Sequence, residues 1–200
     1  MKKCNPILGV ICLLILGGIV GYVFFAGAAK AEIIIDGKTY EMRTVTVEAF
    51  MGDGYVFSAT STEEDGVYTY HYSGVVLEAK SYYETGVPFN VNGGHEASII
   101  CWLYNPSSEE AEIQKGKIYA ISCRIAELRE DGAVVSIAGL ELDSQDKAEL
   151  KSYMDGALKG YRFSESEDVN AVSYTSGQVS YTFSFDEDDI LLNVTARNNV

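Results

Sequence analysis

An unbroken apolar segment near the N-terminus limits what this 200-residue chain can fold into more than any other feature. Residues 7–29 read ILGVICLLILGGIVGYVFFAGAA and hold 23 residues without a charge. As an α-helix with a rise of 1.5 Å per residue, the segment spans about 34 Å, which exceeds the roughly 30 Å hydrocarbon core of a bilayer. Lys2 and Lys3 precede it, so the positive-inside rule places the N-terminus in the cytoplasm. We therefore expect a single-pass membrane anchor followed by an extracytoplasmic part.

Two features of this segment admit other interpretations. The Ala-Lys-Ala sequence at 29–31 could end a cleaved signal peptide, but the apolar part of a signal peptide spans about 7–15 residues. The longer run favours an uncleaved anchor. Gly17 and Gly21 form a GxxxG pair, which would let two anchors pack closely as a homodimer. Glycine is common in membrane helices for other reasons, so a role without dimerisation is the alternative.

Composition and charge bound what the rest of the chain can be. The sequence holds 14 Tyr and 8 Phe, enough apolar surface to build a core. It carries 29 Asp and Glu against 15 Lys and Arg, a formal net charge of −14. Such a charge repels phosphate backbones, and no basic cluster stands out in the sequence, so we expect no nucleic-acid partner.

Two of the four cysteines lie beyond the apolar segment. Cys101 and Cys123 fall within predicted strands, where a free cysteine is usually a small buried apolar residue. A disulfide between them is the alternative, since extracytoplasmic proteins can form one. No CxxC motif and no Cys/His ligand spacing occurs, so the sequence predicts no metal and no other cofactor.

Most of the remaining chain shows the alternation and turn residues of β-strands. Strands are predicted at 32–35 and 38–42 around an Asp-Gly turn, and at 44–50, 55–60, 67–83, 87–92, 96–105, 117–128, 133–142, 169–175, 178–186 and 189–196. A helix is predicted at 144–160, where one apolar stripe is formed by Leu150, Tyr153, Met154, Ala157 and Leu158. A short helix or turn is expected between 105 and 115. The fold class is therefore mainly β with minor α.

The order of these elements predicts four parts. Residues 1–31 form a cytoplasmic stub and anchor, and 32–66 form β-hairpins. Residues 67–143 form a five-stranded barrel, because strand, strand, strand, helix, strand, strand is the element order of the OB-fold. Residues 144–200 form a helix with three antiparallel strands, which could pack with 32–66. Gly116 lies where the chain enters the fourth barrel strand, and its lack of a Cβ would ease a sharp turn there.

The barrel segments also resemble a known family. YSGVVLEAKSY, ASIICWLYN, IQKGKIYAISCRIAEL and VVSIAGLEL are similar to the tRNA_anti-like OB family of exported and membrane-attached bacterial proteins. The resemblance covers about residues 70–143 and implies an OB-like domain. The family name records a fold similarity to anticodon-binding domains rather than tRNA binding. The family brings no catalytic residues, so none is carried over to this chain.

The sequence offers little for catalysis. The chain has only two histidines, His71 within an alternating strand and His95 in a predicted loop, and both fit ordinary structural positions. No GxSxG, Walker or GxGxxG motif occurs. The carboxylates of FDEDDI at 185–190 match a solvated turn better than a calcium loop of the EF-hand type, which spreads its ligands over about 12 residues.

Aromatic residues are the best candidates for contacting a ligand. OB domains often bind oligomers on the face of their second and third strands, where stacking on aromatic rings contributes. The residues that could line that face are Trp102, Tyr104, Tyr82 and Tyr83. Filling the barrel core is the alternative for each of them. We expect a non-catalytic binding or interaction protein at the cell envelope. The alternatives are an envelope assembly subunit and a carboxylate-based enzyme acting on envelope polymers.

Overall fold

A computed structural model describes residues 30–57, 61–62, 67–68, 75–91 and 97–199 of the chain. These residues form a mainly β structure, as the sequence predicts. The expected anchor at 7–29, with Gly17 and Gly21, lies outside the described residues, as do His71 and His95. Within the described ranges, every helix is too short or too polar to cross a bilayer.

The described secondary structure comprises sixteen strands, three α-helices and one short 3₁₀ helix. The strands are β1 (Glu32–Ile35), β2 (Lys38–Glu41), β3 (Tyr55–Phe57), β4 (Ser61–Thr62), β5 (Val67–Tyr68), β6 (Val76–Leu77), β7 (Tyr82–Val91), β8 (Ile99–Tyr104), β9 (Ala111–Glu112), β10 (Lys117–Arg124), β11 (Val135–Ile137), β12 (Leu140–Leu142), β13 (Arg162–Ser166), β14 (Ala171–Ser176), β15 (Val179–Phe185) and β16 (Leu191–Asn198). The helices are α1 (Val47–Gly52), α2 (Ile125–Glu130), α3 (Lys147–Ala157) and the 3₁₀ helix Ile113–Lys115.

One large antiparallel sheet organises the described part of the chain. Its eight strands lie in the order β13-β14-β15-β16-β10-β8-β7-β3, while β12-β11-β1-β2 form a four-stranded sheet. Strands β4 and β5 form a separate two-stranded sheet, and so do β6 and β9. Strand β15 shows why the large sheet has one buried face, because its side chains alternate strictly between buried and half-buried. Its buried residues join a single core with residues of β1, β10, α1, α2 and α3.

Local signals correctly predict several elements. The Asp-Gly turn connects β1 and β2, and Asp36 (φ 52°) and Gly37 (φ 75°) both adopt the left-handed conformation that a two-residue hairpin turn needs. The helix expected at 144–160 is α3, which begins after Asp146. The Asp146 carboxylate accepts hydrogen bonds from the first-turn N–H groups at 2.8 and 3.4 Å.

Two segments that alternate like strands form helices instead. The strand expected at 44–50 is wrong, because α1 begins at Val47 after Thr46, whose hydroxyl accepts the Ala49 N–H at 3.2 Å. Val47 and Phe50 are both buried, and their spacing of three places them on one helix face. The strand expected at 117–128 ends at Arg124, and α2 follows.

The predicted strand 133–142 is a hairpin, because Ala138 (φ 51°) and Gly139 (φ 84°) reverse the chain between β11 and β12. Similarly, the polar link between 105 and 115 contains β9 and the 3₁₀ helix rather than an α-helix.

The strand pairing differs from that of a five-stranded Greek-key barrel. In a Greek key the fourth strand returns to lie beside the first. Here β10, the fourth segment of the expected barrel, pairs with β8, the third. The fifth segment forms β11 and β12, and β11 pairs with β1 in the other sheet. Strand β16 occupies the second edge of β10, so the C-terminal strands extend the same large sheet.

Gly116 is required for close packing rather than for its backbone conformation. Its φ of −59° and ψ of 141° are accessible to any residue. A Cβ at this position would lie 2.5 Å from Leu77 Cδ1 and 3.0 Å from the Ile113 carbonyl oxygen. Carbon atoms pack at about 3.5–4.0 Å, so the chain passes here too closely for a side chain.

Candidate functional site

The large sheet has an outer face that points away from the core. Register places nineteen outward positions on six of its strands. They are Ile100, Trp102 and Tyr104 on β8, Lys117, Ala120, Ser122 and Arg124 on β10, Arg162, Ser164 and Ser166 on β13, Ala171, Ser173 and Thr175 on β14, Ser180, Thr182 and Ser184 on β15, and Asn193, Thr195 and Arg197 on β16.

The outer face differs in charge from the chain as a whole. None of its nineteen positions holds a carboxylate, although the sequence has 29 Asp and Glu and a net charge of −14. Four positions hold a cation, and nine hold serine or threonine. On these six strands the outer face therefore carries local positive charge among hydroxyl groups, while on β7 the exposed Glu84 lies two residues after Tyr82.

Three tyrosines meet at the β7–β8 end of this face. Tyr82 lies opposite Tyr104, and the two rings stack with centroids 4.7 Å apart and an interplanar angle of 25°. Tyr119 reaches the same side because the register of β10 shifts between Ile118 and Ala120. Its ring meets that of Tyr82 edge to face, with centroids 5.0 Å apart. We call Tyr82, Tyr104 and Tyr119 the tyrosine cluster.

Two arginines flank the tyrosine cluster. The Arg43 guanidinium carbon lies 5.1 Å from the centroid of Tyr104, and that of Arg197 lies 5.6 Å from the centroid of Tyr119. Both distances fit cation–π contacts. Neither arginine pairs with a carboxylate among the described residues. The Nε atom of Arg197 is buried, and it has no hydrogen-bond partner among the described residues.

Trp102 is the one tryptophan of the sequence and lies next to the tyrosine cluster. Ala120 is its partner on β10, and Gly86 lies beside it on β7. A Cβ on Gly86 would meet Ile100 Cγ2 at 2.5 Å and the indole carbons at 3.4 and 3.5 Å. The benzene part of the indole therefore packs against bare backbone, where the register of β7 shifts between Tyr83 and Val87. Trp102 is half-buried at this position.

The surroundings of Tyr82 disfavour its ionisation. Burial raises the pKa of Tyr82 above its usual value, and the nearby Arg43 guanidinium opposes that rise. The Tyr82 hydroxyl is consequently neutral at pH 7, when it can donate and accept hydrogen bonds. Tyr82 and Arg43 can both donate hydrogen bonds at this pH.

The structure brings together three of the four aromatic residues that the sequence singles out. Tyr82, Trp102 and Tyr104 share the outer face, whereas Tyr83 lies opposite Leu103 and packs against the core. Whether any of them contacts a ligand stays a prediction.

Sequence reasoning missed Arg43, Tyr119 and Arg197. The alternation of Asn193, Thr195 and Arg197 on the polar side of β16 was a usable signal for Arg197. Nothing local marks Arg43.

The two cysteines beyond the apolar segment do not form a disulfide. Cys101 and Cys123 are free and fully buried. They sit diagonally on neighbouring strands, with Cys101 opposite Ile121 and Cys123 opposite Ile99. Burial raises the pKa of both thiols, so they stay protonated and unreactive at neutral pH.

Other candidate chemistry has structural explanations in the described residues. No group of three or more His, Cys, Asp and Glu side chains within those ranges could hold a metal ion. The acidic turn after β15 is closed by the Asp186 carboxylate, which accepts the N–H groups of Asp188 and Ile190 at 2.9 and 2.8 Å. Asn170 donates to the Asp186 carbonyl and to the Asp189 carboxylate.

Comparison with known proteins adds no relative. No protein-family model, no curated protein and no solved structure matches this chain.

Proposed function

We propose that this chain is a non-catalytic binding protein of the cell envelope, and that its ligand contacts the outer face around Trp102 and the tyrosine cluster. The observation that carries the proposal is the pairing of this aromatic group with two arginines that have no carboxylate partner among the described residues. Aromatic rings and arginine are the residues that contribute most to binding energy at protein surfaces. Membrane attachment in this proposal rests on the apolar segment 7–29.

The resemblance to the tRNA_anti-like family supports the position of the proposed site more strongly than it supports a barrel fold. The family's second and third strands correspond to β7 and β8, and OB domains bind ligands on the face of those strands. Tyr82, Trp102 and Tyr104 lie on these two strands, while Tyr119 and Arg197 of the proposed site lie on β10 and β16, and the sheet partners differ from those of a Greek key.

Fluorescence provides a direct test, because Trp102 is the only tryptophan and its emission reports on this site alone. The full-length chain in detergent micelles would be titrated with an acidic polysaccharide, a neutral polysaccharide, unstructured peptides and single-stranded DNA. We expect at least one probe to change the Trp102 emission saturably and to be recovered chemically unchanged. A recovered probe that has been cleaved would instead favour the enzyme alternative.

Matched tyrosine variants locate the response. Tyr82 is 37% exposed within the proposed site, and Tyr153 is 42% exposed on α3. Tyr82→Ala should weaken the response at least tenfold, while Tyr153→Ala should leave it unchanged. Binding detected by calorimetry without any change in Trp102 emission would place the ligand elsewhere and refute the proposal.

A further inference from the structure

We propose that the ligand of the outer face is an acidic polysaccharide, whose sugar rings stack on Trp102 and whose carboxylates pair with Arg197 and Arg162. This inference rests on the proposed function and specifies its ligand class. It is carried by three properties of the outer face: its charge, its hydroxyl groups and the order of side chains across the strands.

Charge favours an anionic ligand at this face. Arg197 and Arg162 have no ion pair among the described residues, whereas Lys30, Lys38 and Lys147 pair with Glu41, Asp53 and Glu165 at 2.6–2.8 Å. A guanidinium presents a planar fork of donors that matches a carboxylate. An acidic ligand would supply the partner that this face lacks.

One row of side chains crosses the sheet and combines the required groups. Register places Trp102, Ala120, Arg197, Ser180, Thr175 and Arg162 side by side on β8, β10, β16, β15, β14 and β13. Neighbouring strands lie about 4.8 Å apart, so the row is about 24 Å long. An extended oligosaccharide lying across the strands would meet an aromatic ring, then a cation, then hydroxyl groups, then a second cation.

The hydroxyl groups beside this row suit a sugar polymer. Thr195 donates to Ser122 at 3.0 Å, and the hydroxyls of Ser173 and Thr182 lie 2.9 Å apart. Each hydroxyl can act as donor and acceptor, so these pairs can also exchange hydrogen bonds with the hydroxyls of a glycan. The C–H groups on the face of a sugar ring carry partial positive charge, which the negative face of the Trp102 indole attracts.

Charge spacing distinguishes a polysaccharide from nucleic acid. A nucleic-acid strand carries a phosphate at each nucleotide, about 3.4 Å apart in a duplex, and its binding relies on several lysine or arginine contacts. The row holds two cations in about 24 Å, separated by three strand intervals, and the chain as a whole is strongly acidic. The other positions of the row are an aromatic ring, a small side chain and hydroxyls, which suit the ring faces and hydroxyl groups of a sugar polymer.

The test uses the full-length chain in detergent micelles and reads the Trp102 emission. The probes are oligogalacturonate, its methyl ester (the same sugars without charge) and oligo-dT of matched length. We expect oligogalacturonate to bind saturably and the methyl ester to bind at least tenfold more weakly. Added salt should weaken the binding of the acid and leave the ester unchanged, because only the acid depends on ion pairing.

Arginine variants test the contact itself. Arg197→Gln should weaken oligogalacturonate binding about tenfold or more and leave the methyl ester unchanged, while Arg129→Gln, on the exposed surface of α2, should alter neither. Arg197→Lys keeps the charge but loses the bidentate fork, so it should fall between wild type and Arg197→Gln. This second variant keeps the test valid if Arg197→Gln does not fold, as circular dichroism would show.

Three results would overturn the inference, and they separate it from the proposed function. Equal affinity for the acid and its methyl ester would refute an acidic ligand but would still agree with the proposed function, in which a ligand binds the outer face. Binding of oligo-dT in preference to oligogalacturonate would refute a polysaccharide ligand but would also agree with ligand binding at the outer face. No change of Trp102 emission with any probe, including the peptides and neutral glycans named above, would refute both.

Discussion

Replacing Gly86 by alanine should destabilise the protein and disturb the proposed ligand face together. The new Cβ would lie 2.5 Å from Ile100 Cγ2 and 3.4 Å from the Trp102 indole. Since carbon atoms pack at about 3.5–4.0 Å, the overlap with Ile100 amounts to about 1 Å or more. Cγ2 is attached directly to the branched Cβ of Ile100, so relief requires a change of rotamer or a backbone shift.

The magnitude follows from two opposing effects. Overpacking of this kind costs about 1–3 kcal/mol, and the lower entropy of the unfolded Gly86→Ala chain recovers about 0.4–1 kcal/mol. The middle of each range gives a net loss of about 1.3 kcal/mol, which corresponds to a decrease in Tm of roughly 3–5 °C for a protein of this size. Gly156 is the matched control, because it lies exposed in α3 and a Cβ added there would meet no atom within 4 Å. Gly156→Ala should raise stability by about 0.5–1 kcal/mol.

The assay combines thermal unfolding by circular dichroism with the emission spectrum of Trp102. Gly86→Ala should lower the Tm and shift the emission maximum, because the indole must move by a few tenths of an ångström. Gly156→Ala should raise the Tm without shifting the emission. If Gly86→Ala were as stable as Gly156→Ala and had the wild-type emission, the packing of Trp102 against Gly86 would be wrong.

Three further predictions test other parts of the structure. Gly116→Ala should lower the free energy of unfolding, measured by denaturant titration, by about 1–3 kcal/mol, since a Cβ there meets a backbone carbonyl. A variant as stable as wild type would contradict this. Cys101 and Cys123 should resist alkylation in the native protein and react only in denaturant; rapid native labelling, followed by mass spectrometry, would contradict their burial. The third of these concerns Tyr181, whose hydroxyl accepts the Glu32 N–H at 2.9 Å and donates to the Lys30 carbonyl at 3.1 Å. Burial raises the pKa of Tyr181 from 10.0 to about 12, so its contribution to stability is complete below pH 10 and decreases as the pH rises towards 12. Tyr181→Phe should cost about 1–3 kcal/mol at pH 7 and reduce the loss of stability over pH 10–12. Identical pH profiles of the two proteins would contradict this.

Much of the secondary structure could be predicted because its determinants are local. The alternation of Val179, Tyr181, Phe183 and Phe185 specifies β15, and an Asp-Gly pair specifies the first hairpin. Segment 44–50 is an element that local patterns predict wrongly. Its residues alternate, yet Val47 also recurs at helical spacing with Phe50, and the core contacts of Phe50 decide between the two. Tertiary packing, which cannot be inferred from the periodicity of the sequence, therefore determines that this segment is helical.

The sheet and the site depend on contacts between distant segments. Element order alone suggested a Greek-key barrel, but β10 pairs with β8 and β16, a neighbour more than sixty residues away in sequence. The same pairing brings Arg197 beside Tyr119, while a turn at positive φ places Arg43 over Tyr104. Tyr82, Trp102 and Tyr104 were therefore predictable from their strands, whereas the bulge that turns Tyr119 outward and the turn that positions Arg43 were not.

Protection of Trp102 from a quencher would show whether the ligand lies on the outer face. Acrylamide quenching of the single tryptophan would be measured in the full-length chain, with and without saturating oligogalacturonate. If the ligand covers the outer face beside Trp102, the quenching constant of wild type should fall severalfold at saturation. At a probe concentration equal to the wild-type Kd, where a variant that binds tenfold more weakly is largely unoccupied, Arg197→Gln should keep nearly its ligand-free quenching constant. An unchanged quenching constant in wild type, under conditions where calorimetry shows the probe to be bound, would contradict the account.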